Sequence, residues 1–153
     1  MSQAGYFPPA AFNFAITVFG QNGPDAEFQE VSGISMELEF EEIAEGGKNG
    51  QKYRIPNRTK YPNLVLKRGL VVPGSELANW ARETIQDFKS KTLETRDIQV
   101  DLMNEDHSEA LMSWSFVKAL PIKWSISDFN AQQNGLVTET MEFVYDSINF
   151  AKF

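Results

Sequence analysis

The stretch ISMELEFE, residues 34–41, decides the fold, because apolar and polar side chains alternate at every position. Successive side chains of a strand point to opposite faces, so the alternation predicts a β-strand. Glu37, Glu39 and Glu41 are expected to lie together on its polar face, and the strand is expected to end near Ala44. A sheet of such strands packs its apolar face inward and offers the other face to water.

A wholly basic stretch follows this acidic strand. Residues 1–50 carry eight acidic side chains and one basic, whereas residues 51–70 carry six basic and no acidic ones. An acidic surface on one copy can meet a basic surface on the next, so this segregation favours a protein that stacks on copies of itself. On charge alone, a solvated acidic face beside a solvated basic loop stays an open alternative.

Composition bounds the class of protein. The 153 residues suit one domain, and 42% apolar residues with twelve Phe and three Trp favour a packed core. The absence of cysteine excludes disulfides and thiolate sites, and the net charge of -7 disfavours nucleic-acid binding. We find neither a signal peptide in residues 1–11 nor a membrane span, so we expect synthesis and assembly in the cytoplasm.

One helix is expected, from about Glu76 to Lys91, with Ser75 as its N-cap. Lys89 and Lys91 near its end suit the helix dipole. Its apolar residues recur at helical spacing and predict packing against a sheet. They are Leu77, Trp80, Ala81, Ile85 and Phe88.

The remaining pattern predicts about seven or eight strands. Besides the alternating strand they are Phe12–Phe19, Phe28–Val31, Leu64–Leu70, Asp97–Met103, Leu111–Leu120, Ile122–Ser127 after a break at Pro121, and Leu136–Ser147 with Val137, Glu139, Met141, Phe143 and Tyr145 on one face. The fold class is therefore mainly β with one α-helix, an antiparallel sandwich or barrel. Residues 1–11 form an extended arm, and residues 12–153 form a single domain with a flexible loop from Glu45.

The sequence contains no recognisable set of catalytic residues. His107 is the only histidine and lies in a predicted hairpin turn, where a solvated role is expected. One histidine without cysteine leaves no zinc or copper site, and residues 46–50 do not match a phosphate loop. We therefore assign no catalytic, cofactor or metal residue. The rival interpretation, from another class, is a monomeric β-barrel that binds a small ligand or acts as an enzyme.

An ordered series of short motifs covers the chain from about Phe12 to Ile148 and resembles the inner tube proteins of contractile phage tails and extracellular contractile injection systems. The motifs are Phe28–Ile34, Glu45–Gly47, Ile55–Pro56, Lys60–Leu70, Trp114, Ala119–Trp124, Asp128–Ala131, Asn134 and Val137–Glu142. The arm before Phe12 and the aromatic C-terminus, Ile148–Phe153, depart from the family pattern.

The resemblance implies a homohexameric ring with a continuous inner β-barrel, and rings that stack into a hollow tube inside a sheath. The implied partners are further copies, sheath protein, baseplate or tube-initiator, spike and terminator proteins, and protein cargo in the lumen. No cofactor or specific small molecule is implied. The chain would be either the main tube subunit or the initiator ring, and would end in an extracellular or membrane-docked particle or virion.

Two groups of residues follow as hypotheses from the charge pattern and the resemblance. The acids Glu37, Glu39 and Glu41 would line the lumen, where their charge keeps the wall wet. A mobile loop from Glu45 to Lys60 would reach the neighbouring ring. Its basic contact residues would be Lys48, Lys52, Arg54, Arg58 and Lys60.

Overall fold

Ten β-strands and one α-helix make up the described part of the chain. The computed structural model describes residues 13–21, 23–44, 52–69, 74–106, 108–128 and 137–152, apart from the side chains of residues 26, 27, 52 and 152. The elements are β1 (Asn13–Val18), β2 (Asp25–Phe28), β3 (Glu30–Ser32), β4 (Glu37–Ala44), β5 (Lys52–Lys60), β6 (Leu64–Gly69), α1 (Glu76–Gln86), β7 (Arg96–Met103), β8 (Ala110–Ile126), β9 (Thr138–Val144) and β10 (Ser147–Lys152). The predicted arm (residues 1–11), His107 and much of the predicted loops at 45–50 and 129–136 lie outside the described residues.

The strands form one large antiparallel sheet and one separate hairpin. The large sheet has the order β2-β1-β7-β8-β9-β6-β3, with β10 added beside β8, while β4 and β5 pair only with each other. Contacts of β2 with β6 and of β1 with β3 bring the two ends of the large sheet together. The predicted mainly β, antiparallel fold with one helix is therefore confirmed.

The long strand β8 gives the sheet its curvature. Its first half pairs with β7 and β10, and its second half pairs with β9. Between the halves Lys118 has a positive φ of 52°, and its backbone N–H donates to Asp97 Oδ1 at 2.9 Å. This bulge bends the strand. The interruption predicted at Pro121 is a shift of register within a continuous strand.

A single apolar core fills the space between the two sides of the sheet and α1. Burial alternates along β6 and along β9, as the period of a strand requires. Glu139, Met141 and Phe143 are buried, as the predicted face of this strand requires. The buried apolar side chains of β1, β7, β8 and α1 complete one contiguous cluster.

The helix begins where the sequence predicts and ends earlier. Ser75 accepts a hydrogen bond from the backbone N–H of Ala78 at 3.2 Å and caps the first turn. The helix stops at Gln86 instead of Lys91, so Lys89 and Lys91 lie beyond its last turn. Phe88 was predicted to pack on the sheet, but it lies in the turn that follows and is 55% exposed.

Two strands of the structure were not predicted from the sequence. Residues 52–60 were expected to belong to a mobile loop, but they form β5 in full antiparallel register with β4. The C-terminal residues, which carried no strand prediction, form β10 against the first half of β8. The strand β5 pairs with the strand just before it, and β10 pairs with β8 across the intervening β9. The local sequence pattern of each segment reports neither partner.

A buried ion pair ties the core together. Arg68 is 1% exposed and donates from Nε to Oε1 of Glu139, itself 0% exposed, at 2.7 Å. Its other nitrogens reach Ser75 Oγ at 2.9 Å and Asp25 Oδ1 at 3.4 Å. The guanidinium also lies 4.8 Å from the ring centroid of Phe28. One side chain on β6 thereby joins β9, β2 and the helix cap.

The remaining oxygens of this cluster are also occupied. Trp124 Nε1 donates to Glu139 Oε2 at 2.8 Å, and the backbone N–H of Leu77 donates to Asp25 Oδ2 at 3.3 Å. A buried ion pair stabilises a fold only when such additional hydrogen bonds offset the cost of desolvation. Such hydrogen bonds are present here, and they fix the first turn of α1 to the sheet.

Replacing Arg68 with Met leaves Glu139 as an unpaired buried carboxylate, which is expected to lower the free energy of unfolding by about 3–5 kcal/mol. Urea denaturation near neutral pH measures it. Lys91→Met breaks an exposed pair with Asp87, 3.8 Å apart, and is the matched control, with an expected loss below about 1 kcal/mol. Equal losses in the two variants would contradict the assigned role of Arg68.

Candidate assembly surface

The hairpin of β4 and β5, here called the projecting hairpin, stands apart from the large sheet. Neither of its strands is hydrogen bonded to a strand of that sheet. An extra residue at Asn57 on β5 shifts the register between the pairs Glu39–Arg58 and Phe40–Pro56. Such a bulge increases local twist and accommodates Pro56, which has no N–H to donate.

The acids and two of the bases singled out in the sequence share one side of this hairpin. Glu37 lies opposite Lys60, Glu39 opposite Arg58, and directly paired residues point to the same face. Arg58 Nε lies 2.7 Å and Lys60 Nζ 3.9 Å from the carboxylate oxygens of Glu39. The Arg58 hydrogen bond lowers the pKa of Glu39 below its usual value of 4.5. The surfaces expected to be separate are therefore one mixed surface.

The other predicted contact residues are distributed along the same two strands. Arg54 lies on the other face of the hairpin, 3.7 Å from Glu42. Glu41, a predicted lumen residue, is paired with Ile55 across the two strands. Lys52 belongs to β5, but its side chain lies outside the described residues, as does Lys48 altogether. All the described candidates thus belong to the projecting hairpin.

Large apolar side chains on the hairpin are left uncovered, which the sequence did not lead us to expect. The apolar side chains of the alternating strand were predicted to face the core, yet Leu38 and Phe40 are 48% and 54% exposed. Ile43, Tyr53 and Ile55 are also about half exposed. The register places Leu38 and Phe40 on one side of the hairpin and Ile43, Tyr53 and Ile55 on the other, the side of Glu41. Each side therefore exposes apolar groups beside charges, as protein interaction sites do. The alternation in the sequence identifies the apolar face of this strand, but it does not identify the surface that covers that face.

An open sheet edge adjoins the hairpin. Strand β3 ends the order of the large sheet: β6 is hydrogen bonded to one of its edges, and no strand is hydrogen bonded to the other among the described residues, although β1 approaches it. An unpaired edge presents backbone N–H and C=O groups that can pair with another chain. Edge and apolar surface together make this region suited to self-association.

Two clefts beside α1 offer little chemistry. Their volumes are about 100 Å³ and about 270 Å³, and both are lined by Trp80, Glu83 and Arg96. The Arg96 guanidinium lies 5.3 Å from the Trp80 ring centroid and 3.6 Å from Glu94, so it is already engaged. No group of three potential metal ligands occurs among the described residues. The arrangement favours assembly over catalysis.

The comparisons with known proteins agree with this geometry. The family model described as T4-like virus tail tube protein gp19 matches residues 10–149. No curated protein matches the chain. The part of the chain that the structure describes holds no helix long and apolar enough to cross a membrane.

Solved structures with the same fold cover almost the whole chain. A chain of the anti-feeding prophage (AFP) baseplate has a TM-score of 0.74 and 25% identity, covering 99% of this chain and 98% of that one. A chain of the PVC sheath-tube complex in the extended state has a TM-score of 0.75 and 22% identity, covering 99% and 95%. Hcp1 from Flavobacterium johnsoniae has a TM-score of 0.56 and 17% identity, covering 92% and 96%.

Acidification is expected to weaken the pairing of β4 with β5. Because the pKa of Glu39 is lowered in the folded state, the contribution of its pair with Arg58 is present above pH 4.5 and is lost as the pH falls through the lowered value. Amide NMR shifts of the hairpin, followed from about pH 7 to about pH 3, measure the change. Glu39→Gln should remove this transition, and its persistence in the variant would assign it to another group.

Proposed function

The chain belongs to the T4-like virus tail tube protein gp19 family, and on that premise we propose that six copies close into a ring and that rings stack into a hollow tube. Its function is structural, as an inner-tube subunit of a contractile tail or injection system. The uncovered apolar surface of the projecting hairpin carries the proposal of self-assembly. A hairpin of this kind is unfavourable in water unless a second surface covers it.

Ring closure would use the hairpin and the open edge together. In this proposal the projecting hairpin of one copy lies against the next copy and buries Leu38 and Phe40. The free edge of β3 pairs with a strand of that copy, and repetition around the ring extends the sheet into a continuous inner barrel. Closure of this kind removes exposed edges, which otherwise promote aggregation.

The charged side of the hairpin would supply the lumen wall. Glu37, Glu39 and Glu41 remain the proposed lumen residues, but Lys60 and Arg58 share their side. Further along the same side the register also places Tyr53 and Ile55. The wall would therefore be nearly balanced in charge at the level of Glu37 and Glu39, and not wholly polar. A wet wall of mixed charge limits adhesion of passing cargo without repelling it.

Contacts between stacked rings are proposed for the basic residues of the hairpin. Arg54, Arg58 and Lys60 have exposed side chains (73%, 73% and 62%), so they can contact an acid on another ring while keeping their partners in the chain. The baseplate and sheath-tube structures that share the fold support baseplate and sheath proteins as further partners. The proposal covers the initiator ring as well as the rings that follow it.

Phe40→Ser is expected to abolish ring formation without unfolding the subunit, because Phe40 is 54% exposed and lies outside the apolar core. Negative-stain imaging counts rings and tubes, and thermal unfolding monitors the subunit. Phe88→Ser is the matched control, since Phe88 is equally exposed but lies after α1. Normal rings from Phe40→Ser would contradict the proposed role of the hairpin.

An exchange of charges separates pairing within the chain from contact between rings. Arg58→Glu alone breaks the pair with Glu39 and disturbs the hairpin itself. Glu39→Arg combined with Arg58→Glu restores the pair with opposite polarity. If these charges also contact the next ring, the double variant should yield single rings that do not stack. Long tubes of the double variant, seen by electron microscopy, would exclude that contact.

A further inference from the structure

The projecting hairpin is the outer half of one longer hairpin. Its inner half is the pair β3–β6, and Glu30 lies opposite Lys67 there, as Glu37 lies opposite Lys60 in the outer half. The same number of residues separates the two pairs on each strand, so the register continues unchanged across the gap. Residues 33–36 and 61–63, here called the joint, therefore interrupt the pairing without inserting a loop.

The backbone of the joint explains the interruption. Gly33 has a φ of +94°, and its carbonyl accepts from the N–H of Ser35 at 3.0 Å, which turns one strand away from its partner. A Cβ placed on Gly33 would lie 2.0 Å from the carbonyl oxygen of Asn63, so only glycine fits. Across the joint, Pro62 offers no N–H for a cross-strand bond. The inner and outer halves of the hairpin are thus joined by a bend and not by a continuous ladder of backbone hydrogen bonds.

Glu142 on β9 and Tyr145, the residue just after β9, hold this bend. The hydroxyl of Tyr145 lies 2.7 Å from the carbonyl oxygen of Pro62, which accepts its one proton, and 3.3 Å from that of Gly33, so it contacts both strands of the joint. Asn63 Nδ2 donates to Glu142 Oε1 at 2.8 Å. The joint is therefore attached to the large sheet through hydrogen bonds in addition to the packing of its Ile34 and Tyr61 side chains on the core.

Tyr145 is itself fixed by the core. Its ring meets Phe116, which is fully buried, edge to face at 4.9 Å, and Tyr61 of the joint at 5.7 Å. Burial raises the pKa of Tyr145 to about 12, so its hydroxyl keeps the proton that it donates at any physiological pH. A donor with a fixed ring and a permanent proton is suited to hold one backbone geometry.

We propose that Tyr145 is the positioning residue of the projecting hairpin, setting the angle at which the hairpin meets a second copy of the chain. This rests on the proposed function, in which the hairpin packs on a neighbouring copy. A ring closes only when every copy presents its hairpin at the same angle. Small differences in the bend angle of the joint therefore accumulate around the ring. Glu142 is the secondary attachment of the same bend.

Tyr145→Phe tests the proposal because it removes this hydroxyl and keeps the ring that packs on Phe116. In the isolated subunit, hydrogen exchange of β4 and β5 amides is expected to accelerate on the order of fivefold, the effect of losing one such hydrogen bond. Exchange in β7 and the first half of β8 should stay unchanged. Assembled particles should show rings of mixed diameter by electron microscopy.

Tyr61→Phe is the matched control, since the structure gives its hydroxyl no hydrogen bond among the described residues, and it should leave exchange and ring diameter unchanged. Glu142→Ala is the second variant and should accelerate exchange in the same strands. Unchanged hairpin exchange in Tyr145→Phe, or equal acceleration in β7, would overturn the proposal. Wild-type protein that forms no rings would count against the proposed function, while exchange in the isolated subunit still decides the role of Tyr145.

Discussion

The buried pair of Arg68 and Glu139 is the interaction on which the rest of the structure depends. It lies where β6, β9, β2 and the start of α1 converge, and each element contributes a polar group to it. An ion pair in such a position is tolerated only because its hydrogen-bonding atoms are matched. These hydrogen bonds fix the elements relative to one another more strictly than apolar contacts do, because hydrogen bonds depend on direction as well as distance.

A core fixed in this way leaves the projecting hairpin free for another purpose. The buried cluster contains none of the side chains of β4 or β5, so the subunit does not need their apolar groups in order to fold. Their burial is therefore available to a second copy. The core therefore serves folding and the uncovered hairpin serves assembly. The joint is the segment of chain that connects the two.

Local pattern predicted much of the fold, and it failed where pairing with another strand decides. Alternation identified β4 and the buried face of β9, and a capping serine identified the start of α1. The strand β5 was missed because Pro56 and a run of bases are typical of loops, and only pairing with β4 overrides that preference. Arg68 was counted with those bases, although its side chain is buried on β6. Charge can be read from a sequence, whereas burial depends on the fold.

The segregation of charge along the chain follows from antiparallel pairing. An acidic strand and a basic strand joined in a hairpin bring opposite charges face to face, as Glu39 with Arg58 and Glu42 with Arg54 demonstrate. Opposite-charge pairs across strands favour one register over a slip, because a slip by one residue moves each partner to the other face. Much of the charge that suggested a second copy is thus used within the chain. Recognition between copies must then depend first on the apolar residues of the hairpin, with the exposed bases in a secondary role.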